Sequence, residues 1–224
     1  FLVTSPPELL RQRLYSDLPV LENEGGLAET SEPQNIVFKP LAVPVGLDRR
    51  TVTSLVEHDS SKGGESGGED RRVFGTYGHA VLEELAKNRW GGSVRTLTDA
   101  LFGGSGRVDM DQLTDQVEDA RKHLQARTSL ATALYTEHSF VFKDGRQILD
   151  GTIDLLVEFS NESPRRWEVF DYKFTYESAS VACATYAPQL KTYQQAIQAL
   201  YPDDDVGASL VLIGEQVEII SLPV

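Results

Sequence analysis

Three residues hold the clearest chemical signal in this sequence. Asp154 lies inside the apolar run Gly-Thr-Ile-Asp-Leu-Leu-Val, and Asp171 and Lys173 close the run Trp-Glu-Val-Phe-Asp-Tyr-Lys. A buried strand ordinarily excludes charge, so each acid stands where packing alone would not place it. Side chains alternate across a strand, which puts Asp171 and Lys173 on one face. The apolar runs Ile153 to Phe159 and Trp167 to Tyr172 are joined by a polar turn with Asn161, Ser163 and Pro164, the pattern of two paired strands. Pairing them as a hairpin brings Asp154 toward Asp171 and Lys173.

Two carboxylates held together repel, and burying them without a counter-charge is costly, so such a patch recruits a cation. Mg²⁺ suits it, being a hard ion that binds one or two carboxylates together with water and phosphate oxygens. A lysine beside that ion can orient a nucleophile and offset negative charge developing on a phosphorane. This is the chemistry of phosphodiester hydrolysis. Taken alone, Asp-x-Lys fits an ordinary ion pair on a sheet edge better than a catalytic site, so the decision rests on what else the chain brings to the same place.

The elements that would position these groups follow from periodicity. Tyr77 to Asn88 has a helical pattern, with Val81, Leu82 and Leu85 on one apolar face and His79, Glu83 and Ala86 on a second stripe. Asp111 to Arg127 spaces Leu113, Val117, Ala120 and Leu124 as a buried stripe, which predicts a packing helix. Between these two helices no element is predicted. A strand follows from Ala133 to Lys143, turning through Lys143-Asp144-Gly145-Arg146 into the strand that carries Asp154. Glu137 on the earlier strand is either a further carboxylate for the site or an exposed edge residue. The small and polar residues from Phe174 to Thr185 read as a connection, after which Pro188 opens a helix to about Leu200. Tyr186, Gln189 and Tyr193 share one face of it. They are either donors to a backbone phosphate or base, or, for Tyr193, core partners of Leu190, Ile197 and Leu200. Two last strands span Gly207 to Ile213 and Gln216 to Leu222.

Upstream, residues 1–50 read as a connector or extended strap from a preceding domain, with a strand at Asn35 to Lys39 and a helical stretch at Pro7 to Tyr15. Arg50 to His58 reads as a short helix capped by Thr53 or Ser54, and Asp59 to Asp70 as a mobile loop. Residues 51–224 then form one domain. The order helix, helix, three strands, helix, two strands predicts an α/β fold, a mixed central sheet flanked by helices.

Composition sets the outer limits. The 224 residues suffice for one sizeable core, and the chain has no apolar run long enough to span a bilayer and no visible signal peptide. A single cysteine, Cys183, excludes an internal disulfide and a cysteine-built metal cluster. Intracellular location is the default expectation. The chain opens on Phe1, which predicts a piece of a longer protein. With 21 basic and 34 acidic residues the net charge is −13, which predicts weak unaided affinity for a polyanion and a grip supplied by another domain.

In order along the chain stand Gly75-x-x-x-His79-x-x-Leu82-Glu83, Asp154 in Gly-Thr-Ile-Asp, Asp171-Tyr172-Lys173, and Tyr186-x-x-Gln189-Leu190-x-x-Tyr193. Each motif is weak alone; the ordered set resembles the RecB-like branch of the PD-(D/E)XK nucleases over roughly residues 50–224. The resemblance implies a restriction-endonuclease-like fold. It also implies a Mg-dependent deoxyribonuclease, with Mn as a substitute metal, that works as an exonuclease on single-stranded or unwound DNA ends. Such domains sit at the C-terminus of helicase-nucleases of the RecB and AddA type, so helicase domains of the same chain or a partner subunit are implied partners. The implied setting is DNA end processing and recombinational repair in a bacterial or archaeal cytoplasm, near the nucleoid.

By the same match His79, Asp154, Asp171 and the carbonyl of Tyr172 are metal ligands, and Lys173 is the catalytic lysine. Tyr186, Gln189 and Tyr193 belong to the motif that positions DNA and the catalytic groups, and Glu83 fills a motif position of less defined role. Two departures stand out: Ile153 occupies the position of the proline that names the superfamily, and the cysteines of iron–sulfur relatives are absent, which implies a cluster-free site. Two other readings stay open, a non-catalytic DNA-binding or scaffold module with this fold and a stand-alone endonuclease.

Overall fold

The computed structural model describes residues 48–55, 67–104, 106–145, 147–161 and 163–222. The expected strand at Asn35 to Lys39, the helical stretch at Pro7 to Tyr15 and most of the proposed connector lie outside the described residues.

The elements run in the order β1 (Asp48–Thr51), a 3₁₀ turn (Val52–Leu55), α1 (Gly67–Lys87), α2 (Val94–Phe102), α3 (Met110–Arg127), β2 (Ala133–Asp144), β3 (Gln147–Phe159), β4 (Arg166–Phe174), α4 (Ala179–Leu200), β5 (Asp205–Ile213) and β6 (Val217–Ser221). They form a six-stranded mixed sheet, ordered β1-β3-β4-β5-β6 with β2 also on β3. The long β3 is its axis. One edge of β3 pairs antiparallel with β2 from Gln147 to Glu158. The other edge is shared between β1, parallel at Gln147 to Asp150, and β4, antiparallel at Leu155 to Phe159. β4 and β5 are parallel, and α4 makes the crossover that such a pair requires.

Helices cover both faces. Val81, Leu82 and Leu85 of α1 and Leu113, Val117 and Leu124 of α3 pack on Leu155, Val157, Phe159, Phe170 and Tyr172. On the other face Leu190, Tyr193 and Ile197 of α4 pack on Ile153, Leu156, Val169, Leu210 and Leu212. The apolar stripes expected of α1 and α3 are fully buried.

Several boundaries differ from expectation, each for a packing reason. Asp48 to Thr51 are a strand, so the first residues of the predicted short helix belong to the sheet; Val52–Leu55 coil as a 3₁₀ turn, with Ser54 Oγ donating to the Thr51 carbonyl at 2.6 Å, and the rest of that prediction lies outside the described residues. Helix α1 begins at Gly67, inside the stretch read as a mobile loop, because Phe74 and Tyr77 extend its apolar face onto the core. The unpredicted α2 starts at Ser93, whose side chain accepts from Thr96 N, and Phe102 at its end stacks on Tyr77 at 3.7 Å. Helix α4 begins at Ala179, not at Pro188, which lies in its interior. Buried Ala182 on one side of Pro188 and Leu190 on the other anchor both halves to the same sheet face, and tertiary packing outweighs the lost backbone bond.

Candidate active site

The β3–β4 ladder stops at the pair Leu155 and Phe170. In the same register the next pair would be Asp154 and Asp171, and there the strands part. The Tyr172 N–H, which a ladder would have used, instead donates to Asp154 Oδ2 at 2.6 Å. On the other side of β3 the pairs Thr136–Leu155 and His138–Ile153 bracket Glu137 and Asp154, which face each other without being paired. Glu137, Asp154 and Asp171 therefore form one cross-strand row at the opening of the sheet.

A change of pleat occurs at this row. On β2, Leu134 joins the layer under α1 and α3, whereas Phe140 and Phe142, of the same parity, join the layer under α4. On β3, Leu155 and Ile153 divide in the same way. The switch coincides with Glu137, which has φ 47, a left-handed conformation that costs a non-glycine residue roughly 1–2 kcal/mol. Asp154 of this row reaches His79 on α1, whereas Asp171 stays on the α4 side.

From α1, His79 Nδ1 comes within 3.3 Å of Asp154 Oδ1. Its ring packs against Tyr172 and Phe174 at 5.7 and 5.8 Å between centroids. Phe174 is pressed against the helix at Gly78, where an added Cβ would lie 2.0 Å from the ring. The close approach thus needs Gly78, while Gly75, the motif glycine, has ordinary room. Glu83, one turn beyond His79, pairs with Lys87 at 2.8 Å.

On the α4 side, Asp171 is 2% exposed, and Lys173 Nζ lies 2.5 Å from its Oδ2. Gln189 Nε2 donates to Asp171 Oδ1 at 3.1 Å and to the Tyr193 hydroxyl at 2.7 Å. Gln189 and Tyr193 are themselves 3% and 1% exposed, so their polar atoms face Asp171 on β4 and not the solvent. Tyr193 also joins the core with Leu190 and Ile197, as its spacing allowed. Tyr186 is half-buried and holds the Lys173 ammonium over its ring, 4.9 Å from the centroid.

The electrostatics separate the two aspartates. Burial would raise the pKa of Asp154, but hydrogen bonding and charge from His79, with Lys173 and the Tyr172 N–H, hold it below the usual range. Burial pushes Asp171 up to about 6 despite the nearby Lys173. Burial would lower both His79 and Lys173, yet the neighbouring carboxylates win and both are raised. Exposed Glu137 is raised by partial desolvation and by the charge of Asp154.

The donor set fits a hard divalent cation. His79, Glu137 and Asp154 each offer one ligand atom, all within 4.8 Å of one another. Asp171 Oδ2 is buried with no directed hydrogen bond, although the ammonium is close. Oxygen-rich sites with one imidazole suit Mg²⁺ or Mn²⁺. The sequence signalled every member of this group; it could not tell that Gln189 and Tyr193 act on Asp171 from within the core, or that Phe174 wedges His79, because both are contacts between distant segments.

The model of the PD-(D/E)XK nuclease superfamily matches residues 54–219, and the chain belongs to that superfamily. Its mixed sheet flanked by helices is accordingly restriction-endonuclease-like. No curated protein matches the sequence. Among solved structures, SSO0001 is similar over 67% of this chain and 77% of its own at 13% identity, with a TM-score of 0.31, a likeness too loose to locate any residue.

Proposed function

We propose that this chain is a Mg²⁺-dependent deoxyribonuclease of RecB/AddA type, an exonuclease on single-stranded or unwound DNA ends. Residues 51–224 are its nuclease domain. Helicase domains on the same chain or a partner subunit deliver the DNA during end processing and recombinational repair, in the cytoplasm of a bacterial or archaeal cell. The observation that carries the reading is the fork between β3 and β4, where Asp154, Asp171 and Lys173 converge opposite His79.

The residues divide the work by position. His79, Asp154, Asp171 and the Tyr172 carbonyl would hold the divalent ion, with Glu137 as a further carboxylate. When bound, that ion supplies Lewis-acid polarisation of a phosphate and a nucleophile at neutral pH. Lys173, protonated among carboxylates, orients the attacking water and offsets charge growing on the phosphoryl oxygens. Gln189 and Tyr193 fix the Asp171 carboxylate, and Tyr186 restrains the lysine. With Cys183 the single cysteine of the sequence, the reading includes no iron–sulfur cluster.

Linear and covalently closed circular single strands, offered with Mg²⁺, test this. Mononucleotides or short oligonucleotides released from linear DNA alone are expected. Equal cutting of circles would replace the exonuclease with an endonuclease.

A further inference from the structure

Beside the catalytic strand lies a cleft of about 410 Å³, within the usual size of small-ligand sites, about 300–1,000 Å³. Its walls include Arg71 and Phe74 of α1, Arg107, Gln112 and Gln116 around α3, and Phe174 to Tyr176 at the end of β4. Phe174 directly follows Lys173 and touches the His79 ring, so an occupant of the cleft lies next to the site just described.

Two features set this cleft apart. The first is its charge. In a chain of net charge −13, several arginines among the described residues are tied to carboxylates, as in Arg95–Asp111, Arg121–Glu118, Arg127–Glu168 and Arg165–Asp204. Among the described residues Arg107 has no ion pair or hydrogen bond, and Arg71 lies over the Tyr176 ring at 5.9 Å. The lining carboxylate, Asp109, is turned into its own helix, accepting from Asp111 N and Gln112 N at 3.0 Å each.

The second is a fixed, exposed aromatic. Tyr176 is 54% exposed, yet its hydroxyl accepts from Gln112 Nε2 at 2.7 Å and from Gln116 Nε2 at 3.2 Å. Phe74 stands in the same wall, edge-on to Phe174 at 5.9 Å. A ring held rigid in solvent next to guanidinium groups without a carboxylate partner among the described residues is the equipment of a single-strand nucleic-acid site, where a base stacks and an arginine takes the phosphate.

We propose that this cleft receives one unpaired nucleotide of the strand being cut, its base stacked on Tyr176 and its phosphate held by Arg71 and Arg107. The inference rests on the nuclease reading and supplies it with a reason for single-strand selectivity, since a paired base cannot enter. It also supplies a local basic grip that the overall charge lacks.

The test measures binding of a short fluorescent oligothymidylate to the whole chain in chelator, where no cutting occurs, at several low salt concentrations. Tyr176→Ala and Arg107→Ala, both at exposed positions and checked by thermal melting, are expected to weaken binding about tenfold or more. Tyr176→Phe stays within about threefold, and Lys122→Ala, an exposed charge elsewhere on α3, within about twofold. Arg107→Ala also lowers the slope of log affinity against log salt by about one, as loss of a single phosphate contact requires. Wild-type affinity and slope in the cleft variants, equal losses on duplex DNA, or no single-strand binding by the wild type would each overturn the proposal. Cleavage by the wild type alongside such a result leaves the nuclease reading standing; cleft-dependent binding by a chain that cuts nothing in Mg²⁺ removes that reading and keeps the cleft.

Discussion

Asp171 is an acid that the fold holds at an energetic disadvantage. Its pKa rises from 3.8 to about 6, so the folded state favours the protonated form. That contribution to stability is complete below the unfolded value and disappears as pH rises through the folded one, leaving a charged and strained carboxylate at neutrality. Without metal, the melting temperature of the wild type relative to Asp171→Asn is therefore expected to rise as pH falls from 7 toward 4, because only the wild type takes up a proton at that carboxyl, and the variant is expected not to cut. Melting curves across that range would show it; a difference that does not change with pH contradicts the account. The pairing of Asp171 with Lys173 was legible because two positions on one strand share a face by local geometry alone. The role of Gln189 was half legible: its spacing to Tyr193 was plain, but that the pair points inward to Asp171 depends on how α4 lies on the sheet.

Helix α1 meets the end of β4 through Gly78 and Phe174, and this contact sets where His79 stands. In Gly78→Ala the new methyl displaces the Phe174 ring, which should cost about 1–3 kcal/mol. It should also reduce activity by more than the loss of folded protein explains, because His79 moves with the ring. Differential melting and a rate per folded molecule measure both; an unchanged rate would mean that the contact is only packing. The sequence carried the type of the long elements well, since α3 and β3 repeat their apolar period over many residues. It did not carry the start of α1, where glycines argue for loop and only burial of Phe74 and Tyr77 argues for helix. Nor did it carry α2, which is short and flanked by glycines, or the reversal of pleat at Glu137, which has no signature in residue type.

As a body the protein is acidic, and the patch formed by Glu137, Asp154 and Asp171 is acidic too. Electrostatics therefore oppose DNA except where a cation and the arginines of the cleft act, so cutting should weaken only gradually as salt screens those few attractions. Composition announced this balance but not its distribution: Arg71 and Arg107 are far apart in sequence and meet only because α1 and α3 flank the same strand end. Among the described residues no helix is long and apolar enough to cross a membrane, which agrees with the sequence. The measurement to make first is cleavage of linear single-stranded DNA by this chain at low salt with Mg²⁺ or Mn²⁺, beside Asp154→Ala, Lys173→Ala and a chelator control. The account predicts metal-dependent cutting that is lost in both folded variants and in chelator; cutting that survives Asp154→Ala, or a wild type that binds metal and DNA yet releases no product, would contradict it.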